Sequence, residues 1–360
     1  MKKLFVSLLL IAAASPAFCA GDGFTITGKG KVAQVNSANV YLVVSANGRR
    51  DTIASAPVAD GAFVLTGTVE SLQKASIFFE GLDGQISLYL ENAEYTIDGD
   101  YVVSGGGETQ QVASLFLAAQ QKVAEKVREL NAEFVTARDN NDTARMIALQ
   151  GEYTEYISSM VEERKILAEH PNSLASVDNL TSAAASMDYD ALKECFNLLG
   201  DEAKNTREGK AIAERLTKLE NVSIGQIAPD FELDAPDGTK ITLHGVKAKV
   251  KLIDFWASWC GPCRGENPNV VAMYNEYHPK GLEIVGVSLD RDKEAWLKAI
   301  ADDGLAWVHG SDLKFWQAAP AQLYAVNAIP HTVLLDENNR IIAKNLRGAA
   351  LKAKIAELLD

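Results

Sequence analysis

The spacing of apolar positions changes twice along the 360-residue chain. From residue 24 to about 103, short alternating runs such as FTITGKGKV, NVYLVVSANG, KASIFFEG and ISLYLENAEYTIDGDYVV are broken by Gly, Asn and Asp. Alternation of this kind, with turn residues at close intervals, predicts a small β-sandwich or barrel. The stretch holds no cluster of His, Cys or carboxylates, so it reads as a scaffold or docking module. From Thr109 the period lengthens: Val112, Phe116, Ala119, Val123, Val127, Leu130 and Phe134 recur every three or four residues, and Met146, Leu149, Tyr153, Ile157 and Met160 repeat the pattern. The polar RDNND at 138–142 divides the two stretches into a long helical hairpin. HPNS at 170–173 ends it and offers Asn172 or Ser173 as the cap of another helix, with further helices expected over about 188–199 and 208–220. From Ile224 the pattern becomes α/β. KVKLIDFWA and LEIVGVSL are buried strands, HTVLLDENNRIIAK is a hairpin, and helical stretches lie between and after them. This alternation predicts a central sheet with helices on both faces.

The chain thus reads as multidomain: a β-domain over 24–104, a helical region over 108–220 and an α/β domain over 222–360. Its first residues, MKKLFVSLLLIAAASPAFCAGDG, run from a basic start through an apolar stretch to small residues. That stretch is shorter than the roughly 20 residues a bilayer span requires, so 1–19 is expected to be a secretory signal peptide. Cys19 also raises lipid attachment, although the bulky Phe18 before it suits a lipobox poorly. Export to the periplasm or cell envelope follows.

Charge narrows the partners. With 35 Lys and Arg against 48 Asp and Glu, the formal charge is −13, and loss of Lys2 and Lys3 with the leader makes it −15. So acidic a chain argues against nucleic acid, whose phosphates need basic clusters. The three cysteines left after the leader are too few for a disulfide-stapled scaffold. Cys195, in ALKECFNLL, reads as a buried core thiol.

Cys260 and Cys263, in WASWCGPCRGENP, carry the chemistry. Cys260 follows an apolar strand and opens a helix, where unpaired N–H groups and the helix dipole favour a thiolate; in such sites the pKa falls from about 8.5 to around 7 or lower. Cys263, three residues on, lies on the same side of the first turn and can attack a mixed disulfide formed by Cys260. Gly261 and Pro262 shape the turn between them. Asp254, inside the apolar strand, is assigned as the base that takes the proton of Cys263, since burial raises a carboxyl toward the useful range. Pro330, preceded by Ile329 and leading into a strand, suits an edge where a peptide lies, and a cis Ile329–Pro330 bond fits there. Pro268 predicts a kink in the helix after the cysteines. A zinc site lacks two ligands, because no second Cys-x-x-Cys and no ligand spacing among the five histidines is present. No metal or cofactor is expected.

The stretch LIDFWASWCGPC resembles the thioredoxin active site. Together with IGQIAPDFELDAPDGTKITL, EIVGVSLD and AIPHTVLLDENNRI, it is similar to the exported TlpA/ResA-like thiol-disulfide oxidoreductases over about residues 222–360. The N-terminal 200 residues resemble the β-domain of unknown function and helical segment that precede such modules in Bacteroidetes-type proteins. The resemblance implies a thioredoxin fold with Cys260 as nucleophile, Cys263 as resolving thiol, Trp259 lining the site and Pro330 as the cis-proline. One position departs: where thioredoxin carries a lysine near the buried acid, this chain has Gly286. The expected activity is reduction or exchange of protein disulfides, fed by an electron donor in the membrane or periplasm. Two alternatives stay open: a disulfide isomerase acting as a homodimer, and an envelope binding protein that recruits a client to a redox effector domain.

Overall fold

The computed structural model describes residues 23–29, 39–46 and 49–360; the expected signal peptide and Cys19 lie outside them. The chain divides into two compact units, one ending at Ser176 and the other beginning at Val177.

Among the described residues of the first unit, eight strands form two four-stranded sheets: β1 (Phe24–Lys29), β2 (Asn39–Ala46), β3 (Arg49–Pro57), β4 (Ala62–Gly67), β5 (Gln73–Phe79), β6 (Ile86–Leu90), β7 (Glu94–Ile97) and β8 (Val103–Gly105). Their orders are β4-β1-β7-β8 and β3-β2-β5-β6. Alternation turns Phe24, Ile26, Phe63 and Leu65 of one sheet and Val40, Leu42, Ile77 and Leu88 of the other into a single core, so the expected β-domain is a sandwich. Three helices follow, α1 (Glu108–Asp139), α2 (Thr143–Ser159) and α3 (Val161–Glu169). Asp142 caps α2 by accepting from the Arg145 N–H at 3.0 Å, which is why the hairpin turns inside RDNND. The apolar period runs on through Met160, yet the helix breaks there because Met160 adopts a left-handed φ of 43°.

The division falls within α4 (Leu174–Ala184). In the second unit, α5 (Tyr189–Leu198), α6 (Asp201–Asn205) and α7 (Arg207–Asn221) lead to a short ribbon of β9 (Glu232–Asp234) and β10 (Lys240–Thr242). Cys195 of α5 is fully buried. The main elements are β11 (Val250–Trp256), α8 (Gly261–Tyr277), β12 (Leu282–Ser288), α9 (Lys293–Asp303), β13 (Val308–Gly310), α10 (Ala319–Leu323), β14 (His331–Asp336), β15 (Ile341–Lys344) and α11 (Gly348–Leu359). The five-stranded sheet runs β13-β12-β11-β14-β15, the first three strands parallel and the last two antiparallel. Helix α8 continues through Pro268. Among the described residues no helix is long and apolar enough to cross a membrane.

Central β11 is buried along its whole length, as its nearly unbroken apolar run requires. Its Asp254 side lies against α8 and α11, while Phe255, on the other side, meets Tyr324 beyond α10 at 5.6 Å between ring centroids. The second charged residue of the strand, Lys251, is 2 % exposed. Its ammonium donates to the Leu243 and Val246 carbonyls at 2.9 Å each and to the Asn339 side chain. Burial lowers its pKa.

Gly286 lies across the sheet from Asp254, and the next strand places His309 beside it. A Cβ at residue 286 would stand 2.4 Å from His309 Nδ1, so the imidazole fills the space a side chain there would need. His309 is 3 % exposed and stacks on Trp307, and burial pushes its pKa down to about 4. A histidine held neutral in the fold adds stability above its unfolded value of about 6.5, and that contribution is lost as pH falls toward 4. Between pH 7 and 5 His309 should account for a loss of about 2 kcal/mol, read from urea midpoints. His331, which burial also pushes down to about 4, titrates in the same window, so His309→Phe should remove about half of the combined loss. An Asp254→Asn background removes the opposing titration of that acid.

Candidate active site

The site forms where β11 ends and α8 begins. Cys260 is the N-cap of α8, and its sulfur accepts the Cys263 backbone N–H at 3.2 Å. The helix start thereby supplies a donor to the first cysteine as well as its dipole. The two sulfurs are joined, 2.00 Å apart, with Cα atoms separated by 5.3 Å. Both cysteines are buried, whereas Gly261 and Pro262 between them are exposed on the first turn.

A polar clamp fixes the approach to Cys260. The buried Asp290 carboxylate accepts from the Ser258 backbone N–H at 3.0 Å, from its hydroxyl at 2.5 Å and from the Ser288 hydroxyl at 2.8 Å. From α8, Arg264 donates to the Ser258 carbonyl at 3.3 Å and is itself paired with Asp303. A charged acceptor satisfied by three donors holds its loop more firmly than a neutral turn would.

Trp259 points outward and is 46 % exposed. Phe315 stands 5.0 Å and Trp316 6.1 Å from its ring, and Arg291 lies 4.3 Å over Phe315. Leu313 and Phe315 both have φ of 57°, a conformation unfavourable for bulky residues. That backbone turns the Phe315 ring toward Trp259, producing an aromatic wall beside the disulfide.

Beneath the disulfide lies a cavity of about 10 Å³ lined by Asp254, Cys263, Glu266, Asn267, Pro330, Thr332 and Arg347, with apolar residues filling the rest. It is at the lower limit for one water molecule. Burial pushes the Asp254 carboxyl up to about 7; Arg347 opposes the rise and Glu266 adds to it. The Ile329–Pro330 bond is cis, with Pro330 buried at the cavity and Ile329 half-buried. The structure therefore gathers Asp254, Cys263 and Pro330 around one space, with Trp259, Gly261 and Pro262 on the outer side of the cysteines.

Glu266, Asp290, Phe315, Trp316 and Arg347 are absent from the sequence-based set. Glu266 had a local signal, since a position three residues after Cys263 on a helix shares its face. Asp290 ends a buried apolar run, which is the same signal that singled out Asp254. Phe315 and Arg347 reach the site only through chain folding, and nothing near them in sequence marks them.

Comparison with known proteins bears on both ends of the chain. The family model described as Redoxin matches residues 223–358, and a model for a domain of unknown function, DUF4369, matches residues 24–123. The thiol-disulfide oxidoreductase ResA of Bacillus thuringiensis subsp. konkukian is 31% identical over 148 residues, covering 40% of this chain and 80% of that protein. ResA of Bacillus subtilis is 28% identical over 143 residues, covering 39% and 76%. The thioredoxin domain of a thiol-disulfide oxidoreductase from Bacteroides vulgatus, a solved structure, is 33% identical, with a TM-score of 0.37, and matches 38% of this chain and 99% of that one.

Proposed function

The chain belongs to the ResA-type thiol-disulfide oxidoreductases, and on that footing we propose that it is an exported enzyme whose Cys260–Cys263 dithiol reduces disulfides in client proteins. The observation that carries this reading is the position of the pair: Cys260 sulfur at a helix N-terminus, Cys263 on a cavity shared with a carboxyl whose pKa is near 7.

In the reduced enzyme, Cys260 thiolate attacks one sulfur of the client disulfide; a mixed disulfide forms and the client's other sulfur leaves as a thiolate that takes up a proton. Cys263 then gives its proton to ionised Asp254, and the resulting thiolate attacks Cys260 Sγ. The bond between Cys260 and the client breaks, the second client sulfur leaves as a thiol, and the Cys260–Cys263 disulfide forms. Two electrons pass from enzyme to client. A donor dithiol in the membrane or periplasm returns them by the same exchange in reverse. Trp259 and Ile329–Pro330, with Gly261 and Pro262 between the sulfurs, supply the surface on which the client segment lies. The aromatic wall of Phe315 and Trp316 extends that surface and favours a client with apolar residues beside its half-cystine.

The reduction potential decides the direction of exchange. Equilibrated with glutathione or dithiothreitol in a Cys195→Ala background, the full chain should titrate near or below thioredoxin's value of about −270 mV. A potential near about −180 to −120 mV, the range of isomerases and oxidants, would overturn the reductase reading.

A further inference from the structure

Three consecutive residues at the start of α11 each bond a different wall of the cavity. The Leu346 carbonyl accepts from the Thr332 hydroxyl of β14 at 2.8 Å. The Arg347 guanidinium donates to the carbonyl of Pro330. The Gly348 backbone N–H donates to Glu266 of α8 at 2.8 Å, and Gly348 takes a φ of 51° to do so, a conformation that glycine adopts without penalty. Arg347 also borders the cavity that holds Asp254 and Cys263, while much of its side chain stays exposed. One corner of chain, more than 80 residues beyond the cysteines, therefore touches the proline loop, the helix of Cys263 and the space around the buried acid.

We propose that Arg347 is a positioning residue of the thiol-disulfide exchange: its guanidinium holds the Pro330 carbonyl in place for the client and keeps a positive charge beside the Asp254 cavity. The second half rests on the assignment of Asp254 as the base for Cys263; the first half does not. A guanidinium suits both tasks, since it is charged at every working pH and its planar fork serves a carbonyl while a further edge faces the cavity. The charged and titratable groups around it are Asp254 from β11, Cys263 and Glu266 from α8, His331 from β14 and Lys344 from β15. Glu266 accepts from the Gly348 N–H, and the cation that opposes the burial of Asp254 is Arg347.

The test uses the full chain and two readouts: KM for a peptide disulfide, and the pH dependence of mixed-disulfide resolution in single turnover. Arg347→Met should raise KM several-fold and move the pH midpoint of resolution up by about one unit, making the step about tenfold slower near pH 6. Arg347→Lys keeps the charge without the fork, so it should restore the midpoint but not KM. A lowered melting temperature in Arg347→Met with both readouts unchanged would overturn the proposal and leave Arg347 a structural link to the last helix. Asp254→Asn separates the two assignments. If the pH limb survives in that variant, Asp254 is not the base, and the role of Arg347 stands or falls on KM alone.

Discussion

Cys263→Ser should turn a cycling enzyme into a covalent trap. The first half of the exchange needs only Cys260, whose sulfur keeps the helix N-terminus and the residue 263 N–H as supports for its negative charge. With no second thiol to attack it, the mixed disulfide with the client persists until an external thiol releases it. The companion change Cys260→Ser should lower turnover by at least about a thousandfold, because the remaining thiol of that turn, Cys263, lines the inner cavity with Asp254. Both variants are best made with Cys195→Ala, although Cys195 is buried within the helical part of its unit and should not compete. Non-reducing electrophoresis of an envelope extract from cells making Cys263→Ser should show discrete heavier species that collapse on reduction. Mass spectrometry of those species names the clients. Retained turnover in Cys260→Ser, or trapping by that variant in place of Cys263→Ser, would reverse the assignment of attacking and resolving sulfurs.

The second large effect concerns stability. Asp254 is 7 % exposed, and burial raises its carboxyl from 3.8 to about 7. A carboxyl that is harder to ionise in the fold than in the unfolded chain opposes folding wherever the unfolded chain is ionised. The penalty is absent below about pH 4, grows as pH rises, and levels off above 7 at about 4 kcal/mol. Asp254→Asn should therefore stabilise the protein by a few kcal/mol at pH 8 and by almost nothing at pH 4, as read from urea midpoints at the two pH values. The same variant should lose most of the pH dependence of resolution. More stable and slower is the combination expected of an acid retained for chemistry. Asp254→Asn with unchanged stability at pH 8 would mean that the carboxyl reaches water and is not tuned by burial.

Much of this was legible in the sequence because the signals were local. The unbroken apolar run of β11 announced a central strand, and the lone acid within it lines the cavity that Cys263 also borders. Cys260 and Pro262 marked the start of α8 through the same chemistry that caps any helix. Elements of three residues, such as β9, β10 and β13, were not legible, since they are held by neighbours and carry no period of their own. Gly286 is instructive: in sequence it appeared only as a missing lysine, but the space is taken by His309 from the adjacent strand. The aromatic wall depends on left-handed backbone at Leu313 and Phe315, which no propensity favours, and the Arg347 corner depends on the register of β14 and β15.

The two charged residues of β11 have one more consequence. Because every residue of that strand is buried, its apolar side chains would be covered equally well if the strand slipped by one position against its neighbours. Hydrophobic burial alone does not choose between those alignments. Lys251 and Asp254 sit three residues apart and so point to opposite faces, and a slip would exchange both faces at once. The ammonium would leave the Leu243 and Val246 carbonyls, and the carboxyl would leave the space it shares with Cys263. Two residues that each weaken the strand by their burial thus act as its alignment key, and they guard against a misfold that would bury as much apolar surface as the native sheet does.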